Sequence, residues 1–390
     1  MELTPRISLK SLITPFNILL GVIVLVGCGL TVLRFTVGLD AVTNLDNNNP
    51  WGIWIGFDLL CGVALAAGGY MTSAACYIFG LKRYHSAVRP AILTAFLGYS
   101  LVVLALHYDV GRPWRLPYPI FLQQGTTSLL FEVALCVFLY LTVLFVEFTP
   151  AAFEWLGFSK IREKVVKITM GLTIFGVILS TLHQSSLGAL YTIAPSKLHP
   201  LWYSGYLPVY FFISSMFAGL SMVIFEGSLA HKYLHHKMDE THLKESEGVV
   251  LGFGKAASFI MAGYVSLKII GIALDDKWAY LFTGYGAWFL FELIGFVALP
   301  SFAYAIGVRE KNIRLIRWTS AWTVLGIILN RLNISLIAFN YHLPSAERYT
   351  PGWMEIGVSL FIVAIGIIVY RLIVNFMPIL YQHPDYPGEH

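Results

Sequence analysis

Leu104-Ala-Leu-His-Tyr-Asp-Val-Gly-Arg-Pro-Trp-Arg115 is the stretch where an apolar helix runs out into His107, Asp109 and Arg112. Residues 90–107, which lead into it, form an apolar run of the length that crosses a hydrocarbon core as a helix, about 20 residues. The same ruler laid along the rest of the chain finds nine more runs, at residues 15–35, 53–79, 127–146, 165–182, 207–224, 250–272, 287–304, 316–339 and 353–376. Composition agrees: 57% of the 390 residues are hydrophobic and only 12% charged, where a soluble domain carries about a quarter charged. The expected fold class is all-α integral membrane with ten transmembrane helices, surrounded by a lipid bilayer and with no nucleic acid as partner. The first run follows Arg6 and Lys10, as the core of a signal peptide would. It is too long for such a core and lacks a small-residue cleavage site, so it reads as a retained span.

Lys and Arg in the connecting segments set the orientation, because cytoplasmic loops carry the excess. One side holds 17 of the 26, among them Arg6, Lys10, Arg89, Lys160, Arg162, Lys167, Arg309 and Arg371. The other side holds 6: Arg34, Arg112, Arg115, Lys197, Lys277 and Arg348. Both termini are therefore expected in the cytoplasm. With that orientation Asp58, Glu132 and Glu292 lie early in spans descending from outside, and His107, His183, Lys268 and Arg331 lie late in spans rising to it. An ionisable side chain at the bilayer centre costs from about 3 to more than 10 kcal/mol, so it faces a partner or a cavity. Each acid taken alone reads equally well as a pair that locks helices together. Their gathering in the outer third points to a site.

Short internal matches suggest a duplication. Leu130-Phe-Glu132 recurs as Leu290-Phe-Glu292, and the segment ending Ser180-Thr-Leu-His183 recurs as the one ending Asn330-Arg-Leu-Asn333. Spans two to five and six to nine are thus expected to form two parallel four-helix bundles, flanked by spans one and ten. The first copy keeps His183-Gln184 where the second has Asn333-Ile334. Gly62, Gly68, Gly69 and the alanines between them read as close helix packing. The four cysteines, Cys28, Cys61, Cys76 and Cys136, lie in apolar runs without haem-attachment or iron–sulfur spacing and read as packing residues. His231, His235, His236 and His242 match no familiar ligand set, so no metal site is expected. The outer segments 37–52, 109–126, 185–206 and 340–352 are rich in Trp, Tyr, Pro and Gly, the composition of ordered loops able to dock a protein.

These motifs resemble a known family, the NrfD/polysulfide-reductase-type quinone-interacting membrane subunits, and within it the HybB-like branch. Pro50-Trp-Gly-Ile-Trp-Ile-Gly-Phe-Asp58 looks like the family's helix-opening motif and Asp109-Val-Gly-Arg-Pro113 like its D-x-G-R-P motif. His183-Gln-Ser-Ser-Leu-Gly188, His199-Pro-Leu-Trp202 and Ile224-Phe-Glu-Gly227 resemble the HybB-like branch. The resemblance implies a multi-pass subunit of the prokaryotic cytoplasmic membrane that exchanges electrons with menaquinone. It implies no haem or iron–sulfur cluster in this chain, and an extracytoplasmic ferredoxin-like iron–sulfur subunit as partner. The catalytic partner would be a nickel–iron hydrogenase, a multihaem cytochrome c or a sulfur-metabolism subunit.

On this reading residues 1–49 hold the first span and outer loop, 50–206 the first repeat with the quinone site, 207–345 the second repeat, and 346–390 the last span and cytoplasmic tail. Quinone reduction needs proton donors near neutral pH in an apolar slot, and Asp58, Glu132 and His183 are the candidates for that chemistry. Trp51, His107, Asp109, Arg112, His183 and Gln184 are the candidates for binding the quinone, with Arg112 holding a carboxylate, most simply Asp109. A proton path from the cytoplasm would use Glu226, Lys255 and hydroxyls of spans five and six. The rival readings are a b-type cytochrome with haem between His107 and His183, a transporter built on parallel repeats, and a passive anchor.

Overall fold

The computed structural model describes residues 14–381 together with His383 and Tyr386, so Arg6 and Lys10 lie outside the described residues. Ten of its helices are long and apolar enough to cross a membrane, in agreement with the sequence. They are α1 (Pro15–Thr36), α2 (Trp54–Ile78), α3 (Lys82–Asp109), α4 (Leu129–Leu156), α5 (Ser159–Thr192), α6 (Leu207–Tyr233), α7 (His242–Leu274), α8 (Gly284–Arg309), α9 (Ile313–Ile337) and α10 (Trp353–Phe376). No strand occurs among the described residues; the one bridge of that kind joins Leu198 to Phe339.

Neighbours in sequence are largely neighbours in space. α2 packs on α3, α3 on α4 and α4 on α5, and α5 returns to α2; α6, α7, α8 and α9 pack in the same cyclic order. α1 and α10 pair with each other, and α10 also rests on α3. α2 touches α3, α5, α6, α9 and α10 and is the axis of the molecule. Its most apolar window is 78% buried, against 17% for α1, which decides that α2 is core and that α1 faces its surroundings. The small residues make this possible. A Cβ on Gly68 or Gly219 would collide with the backbone of the other helix, and one on Gly69 would meet Ala95.

Two features of the helices depart from the expected pattern. α5 continues ten residues past the expected end at residue 182, to Thr192, so that His183 and Gln184 lie well inside a helix and Tyr191 lies on it rather than in a loop. Pro195 is the first residue after it that cannot continue a helix, and Gly188 lets the helix pass against Leu207, where any side chain would collide. The ladder also widens to π-helix at Trp54–Leu59 and Ala74–Ile78 in α2, at Ile294–Ala298 in α8 and at Asn333–Ile337 in α9. The segments in α2 and α9 nearest the Trp51 end pack on each other.

The two ends of the bundle differ chemically. At the Lys/Arg-rich end, Glu154 of α4 is fully buried and shared by two cations: Arg89 Nη2 and Arg162 Nε both reach Oε1 at 2.7 Å. Arg89 also donates to the Pro378 carbonyl at 2.8 Å, so the segment after α10 is tied to the same junction. At the aromatic end, asparagines join the loops: Asn340 donates to the Asn48 carbonyl and to Asn49 Oδ1, each at 2.9 Å, and Asn49 to the Glu347 carbonyl at 3.0 Å. Removing one partner of a buried ion pair costs about 3–5 kcal/mol, because the other charge stays buried. A Glu154→Gln chain is therefore expected to melt well below the parent in a detergent thermal ramp; an unchanged midpoint would refute a supporting role for this junction.

Candidate functional site

The candidate residues do not converge on one point; they fall into two groups on either side of α2. The first group faces α1 and α10. Asp58 is buried and accepts from Ser359 Oγ of α10 at 2.6 Å, while Trp54 Nε1 donates to the Glu355 carbonyl at 3.1 Å. Asp109 ends α3 with Oδ1 buried and unpartnered. The basic residue that interacts with it is Arg34 of α1, not Arg112. Arg34 is buried and donates to the carbonyls of Tyr108 at 2.7 Å and Val110 at 2.8 Å, so it holds the end of α3. Arg112 is exposed; its carbonyl accepts from the Arg115 N–H at 2.9 Å, closing the short turn Pro113–Arg115, and its guanidinium makes no hydrogen bond or ion pair among the described residues. His107 donates through Nδ1 to the Val103 carbonyl of its own helix at 2.7 Å.

The second group fills the space enclosed by α2, α3, α4 and α5. His183 is fully buried, with neither ring nitrogen hydrogen-bonded, and its ring lies 5.7 Å from that of Tyr99. Tyr99 packs edge-on against Tyr140 at 4.7 Å. Gln184 donates to the Val63 carbonyl at 2.9 Å but leaves its Oε1 without a well-aligned donor. Thr72, Ser73 and His183 carry buried polar atoms without a hydrogen-bond partner among the described residues, while Tyr99 and Tyr140 lie near Ser180, and Tyr99 near Gln184, without forming well-aligned bonds. Glu132, in the first turn of α4, accepts from Ser186 Oγ at 2.6 Å. Spacing explains the assembly, since residues 180, 183, 184 and 187 share one face of α5 and turn it toward the bundle interior.

Sequence reasoning missed the other end of this column. Glu147 lies one residue beyond the end given to span four, yet α4 runs on to Leu156 and carries it inside. Thr173 Oγ1 donates to its Oε1 at 2.9 Å. Glu147 also lines a cavity of about 330 Å³ at the Lys/Arg-rich end, with Arg89, Lys167, Asp239, His242 and Tyr381. From Thr173 to Gln184 the column spans about 16 Å along α5 at 1.5 Å per residue. Of the path residues named from sequence, Glu226 is half-buried and accepts from Thr94, with Tyr370 beside it, whereas Lys255 is exposed.

The second four helices hold a comparable acid in a different state. Glu292 accepts from Trp202 Nε1 at 2.8 Å and from the side chains of Asn330 and Asn333. Beside it Lys268 Nζ lies over the ring of Tyr210 at 4.3 Å and the Arg331 guanidinium over that of Phe211 at 3.9 Å.

A family model described as "Polysulphide reductase, NrfD" matches residues 41–342. The chain belongs to the NrfD family. A protein of Nitratidesulfovibrio vulgaris is 70% identical, with 98% of each chain covered. The "Probable Ni/Fe-hydrogenase 2 b-type cytochrome subunit" of Escherichia coli is 34% identical over 92% of this chain and 91% of its own. The "Menaquinone reductase, integral membrane subunit" of Nitratidesulfovibrio vulgaris is 28% identical, covering 88% and 86%. The matched region takes in α2 to α9, and with them Asp58, Asp109, Glu132, His183 and Glu292, but not Arg34 of α1 or Ser359 of α10.

Outside the spans, His199 caps the seam between the two sets of helices. Its ring stacks on Tyr285 at 4.5 Å, meets Tyr341 edge-on at 4.9 Å, and accepts from the Leu201 N–H through Nδ1 at 3.3 Å. Burial pushes its pKa down to about 4. An unfolded histidine titrates near 6.5, so below that pH the unfolded state binds a proton that the folded state refuses. The contribution is complete above about pH 6.5 and is lost progressively as pH falls toward 4. His199→Gln is expected to flatten the decline in melting temperature between pH 7 and 5; a decline as steep as the parent's would refute it.

Proposed function

We propose that this chain is the quinone-reactive subunit of a respiratory oxidoreductase complex in the prokaryotic cytoplasmic membrane, passing electrons between an extracytoplasmic ferredoxin-like iron–sulfur partner and menaquinone. The Lys/Arg-rich end and both termini are cytoplasmic, following the charge bias. The aromatic end docks the partner through the ordered loops and the exposed Trp114, Phe121 and Phe282 beside them. A hydrogenase-type, multihaem cytochrome c or sulfur-metabolism subunit completes the complex. The names of the two relatives, a menaquinone reductase membrane subunit and a hydrogenase subunit, support this reading.

The column of unpartnered and poorly aligned polar atoms around His183 carries the proposal. Buried polar groups in proteins are hydrogen-bonded to protein, ordered water or ligand, and leaving one unsatisfied costs about 1–3 kcal/mol. In one bundle the partnerless atoms of Thr72, Ser73 and His183, with the poorly aligned ones of Tyr99, Tyr140, Ser180 and Gln184, call for a file of waters or a ligand rather than a dry core. A bound quinone supplies two-electron, two-proton chemistry, and residues 50–206 supply what it requires of the protein. Glu132, His183 and Gln184 face the quinone from α4 and α5; Trp51 stands just before α2 at the same end, and Asp58 lies on the other side of α2, held by Ser359 of α10. His183 holds a proton between Tyr99 and the quinone, and Asp58 and Glu132 serve as the acids nearest the outer end. Asp109 with Arg34 fixes the end of α3. Arg112 is left for the docked partner, and His107 is a neighbour of the site.

The direction of proton supply follows from the cavity. Protons taken from outside would make quinone reduction electroneutral, whereas the route from the cytoplasmic cavity through Glu147, Thr173, Tyr140 and Tyr99 to His183 makes it conserve energy. The second set of helices, residues 207–345, packs against this one through α6 and α9.

This reading places no haem between His107 and His183: the Tyr99 ring lies 5.7 Å from that of His183, and Tyr140 packs on Tyr99 at 4.7 Å.

In proteoliposomes carrying the whole complex, His183→Ala is expected to lower quinone-linked turnover by about 10² or more. Glu147→Gln is expected to reduce the protons taken from the cytoplasmic side per electron. Full turnover in the first variant and unchanged proton stoichiometry in the second would overturn these roles.

A further inference from the structure

Where α2 and α9 meet beneath Trp51, two π-helical segments face each other: Trp54–Leu59 and Asn333–Ile337. A π segment interrupts the regular ladder, is rare, and recurs at functional sites. Here the two backbones come so close that a Cβ on Gly56 would collide with the Ser335 side chain. Ser335 Oγ in turn donates to the Arg331 carbonyl at 2.7 Å.

Two hydrogen-bond donors at this seam have nothing to bind. Tyr191 Oη and Arg331 Nε are buried without a partner among the described residues, in side chains 2% and 1% exposed. They interact electrostatically with one another. The guanidinium is not free to turn elsewhere, because Nη1 donates to Asn330 Oδ1 at 2.8 Å and Nη2 to Ser214 Oγ at 2.7 Å. Nε is thus a fixed donor, and arginine cannot act as an acceptor.

The walls around these donors are aromatic. The Tyr191 ring lies 5.8 Å from Trp51, 6.0 Å from Phe339 and 6.1 Å from Phe211. Trp51 stacks on Phe339 at 5.9 Å and is only half-buried, so it forms the edge of the box. Fixed donors converging among flat apolar rings match a planar ring carrying a carbonyl oxygen. Tyr191 also lies two turns beyond His183 on α5, about 12 Å along the axis. The same face thus carries the unpartnered tyrosine and the proton column.

We infer that the second half of the chain completes the quinone site: the naphthoquinone head group sits at the α2–α9 seam beneath Trp51, with Tyr191 Oη and Arg331 Nε donating to one of its carbonyl oxygens. The inference rests on the quinone reading of the preceding section and adds to it a residue of α9 that the first repeat lacks.

The test uses the intact complex, with menadione as the probe, followed by quenching of tryptophan fluorescence and by quinone-linked turnover. Tyr191→Phe keeps the ring and removes the hydroxyl; it is expected to weaken menadione binding and raise KM roughly tenfold, the loss of one buried hydrogen bond. Arg331→Lys, which keeps the charge but not the fixed Nε–H, is expected to weaken binding at least as much. Tyr191→Phe folds without removing any contact of its ring, so it decides the matter where the arginine variant is unstable. Parental menadione affinity and KM in Tyr191→Phe would mean that the orphan donors hold water alone, and would overturn this placement. Failure of the parent complex to bind menadione at all would overturn the quinone reading itself.

Discussion

Hydrocarbon offers a polar side chain no solvent, so every hydrogen-bonding group carried into it must find its partner in the protein, in trapped water or in a ligand. The two sets of four helices answer that constraint in opposite ways. In the second, Glu292 collects donors from Trp202, Asn330 and Asn333, and the cations beside it lie on aromatic rings. In the first, His183 is enclosed with its polar atoms unmet, and Gln184, Tyr99, Tyr140 and Ser180 lie near one another without well-aligned bonds. A core that leaves groups unmatched or poorly aligned is unstable when dry, and the deficit is concentrated in the half that retains the titratable side chain.

The same constraint explains how much was legible in the sequence. The spans could be counted because backbone polarity forces helices about 20 residues long, and the composition of those runs is unmistakable. The packing role of Gly68 and Gly69 was legible for a related reason, since only small residues allow backbones that close. Span ends were not, because nothing in a hydropathy pattern separates helix in lipid from helix that continues past the boundary. Glu147 and Tyr191 each lay outside an assigned span, and each proved to be helical, Tyr191 buried and Glu147 half-buried at a cavity wall. π segments leave no composition signature, so the seam between α2 and α9 had no sequence signal. Arg331 was visible only as a charge in a span.

Pairing was less legible than position. Asp109 and Arg112 lie three residues apart, which made their contact the simplest reading. The helix ends between them, a short turn follows at Pro113–Arg115, and Arg34 from α1 reaches Asp109 instead. Likewise Glu132 and Glu292 occupy matching places in the repeat, yet one is held by a serine of the next helix and the other by a tryptophan from a loop and two asparagines. The two acids stand at similar places along α4 and α8. Their partners come from whatever the surrounding helices present, and these differ.

The asymmetry between the halves gives the molecule its division of labour. A proton route needs groups that can change partners, which a fully bonded network resists. A binding site needs donors that do not move, which a network of unmatched groups cannot supply. Arg331 belongs to the bonded half and is clamped by Asn330 and Ser214, but its remaining N–H lies at the seam next to Tyr191 of the unbonded half. α2 stands between the two, with small residues on the faces that must pack and a widened helical turn where it meets α9. On the proposed function, fixed donors from the bonded half and proton exchange by the other would act on one head group, so that recognition does not require the proton-carrying groups to hold still.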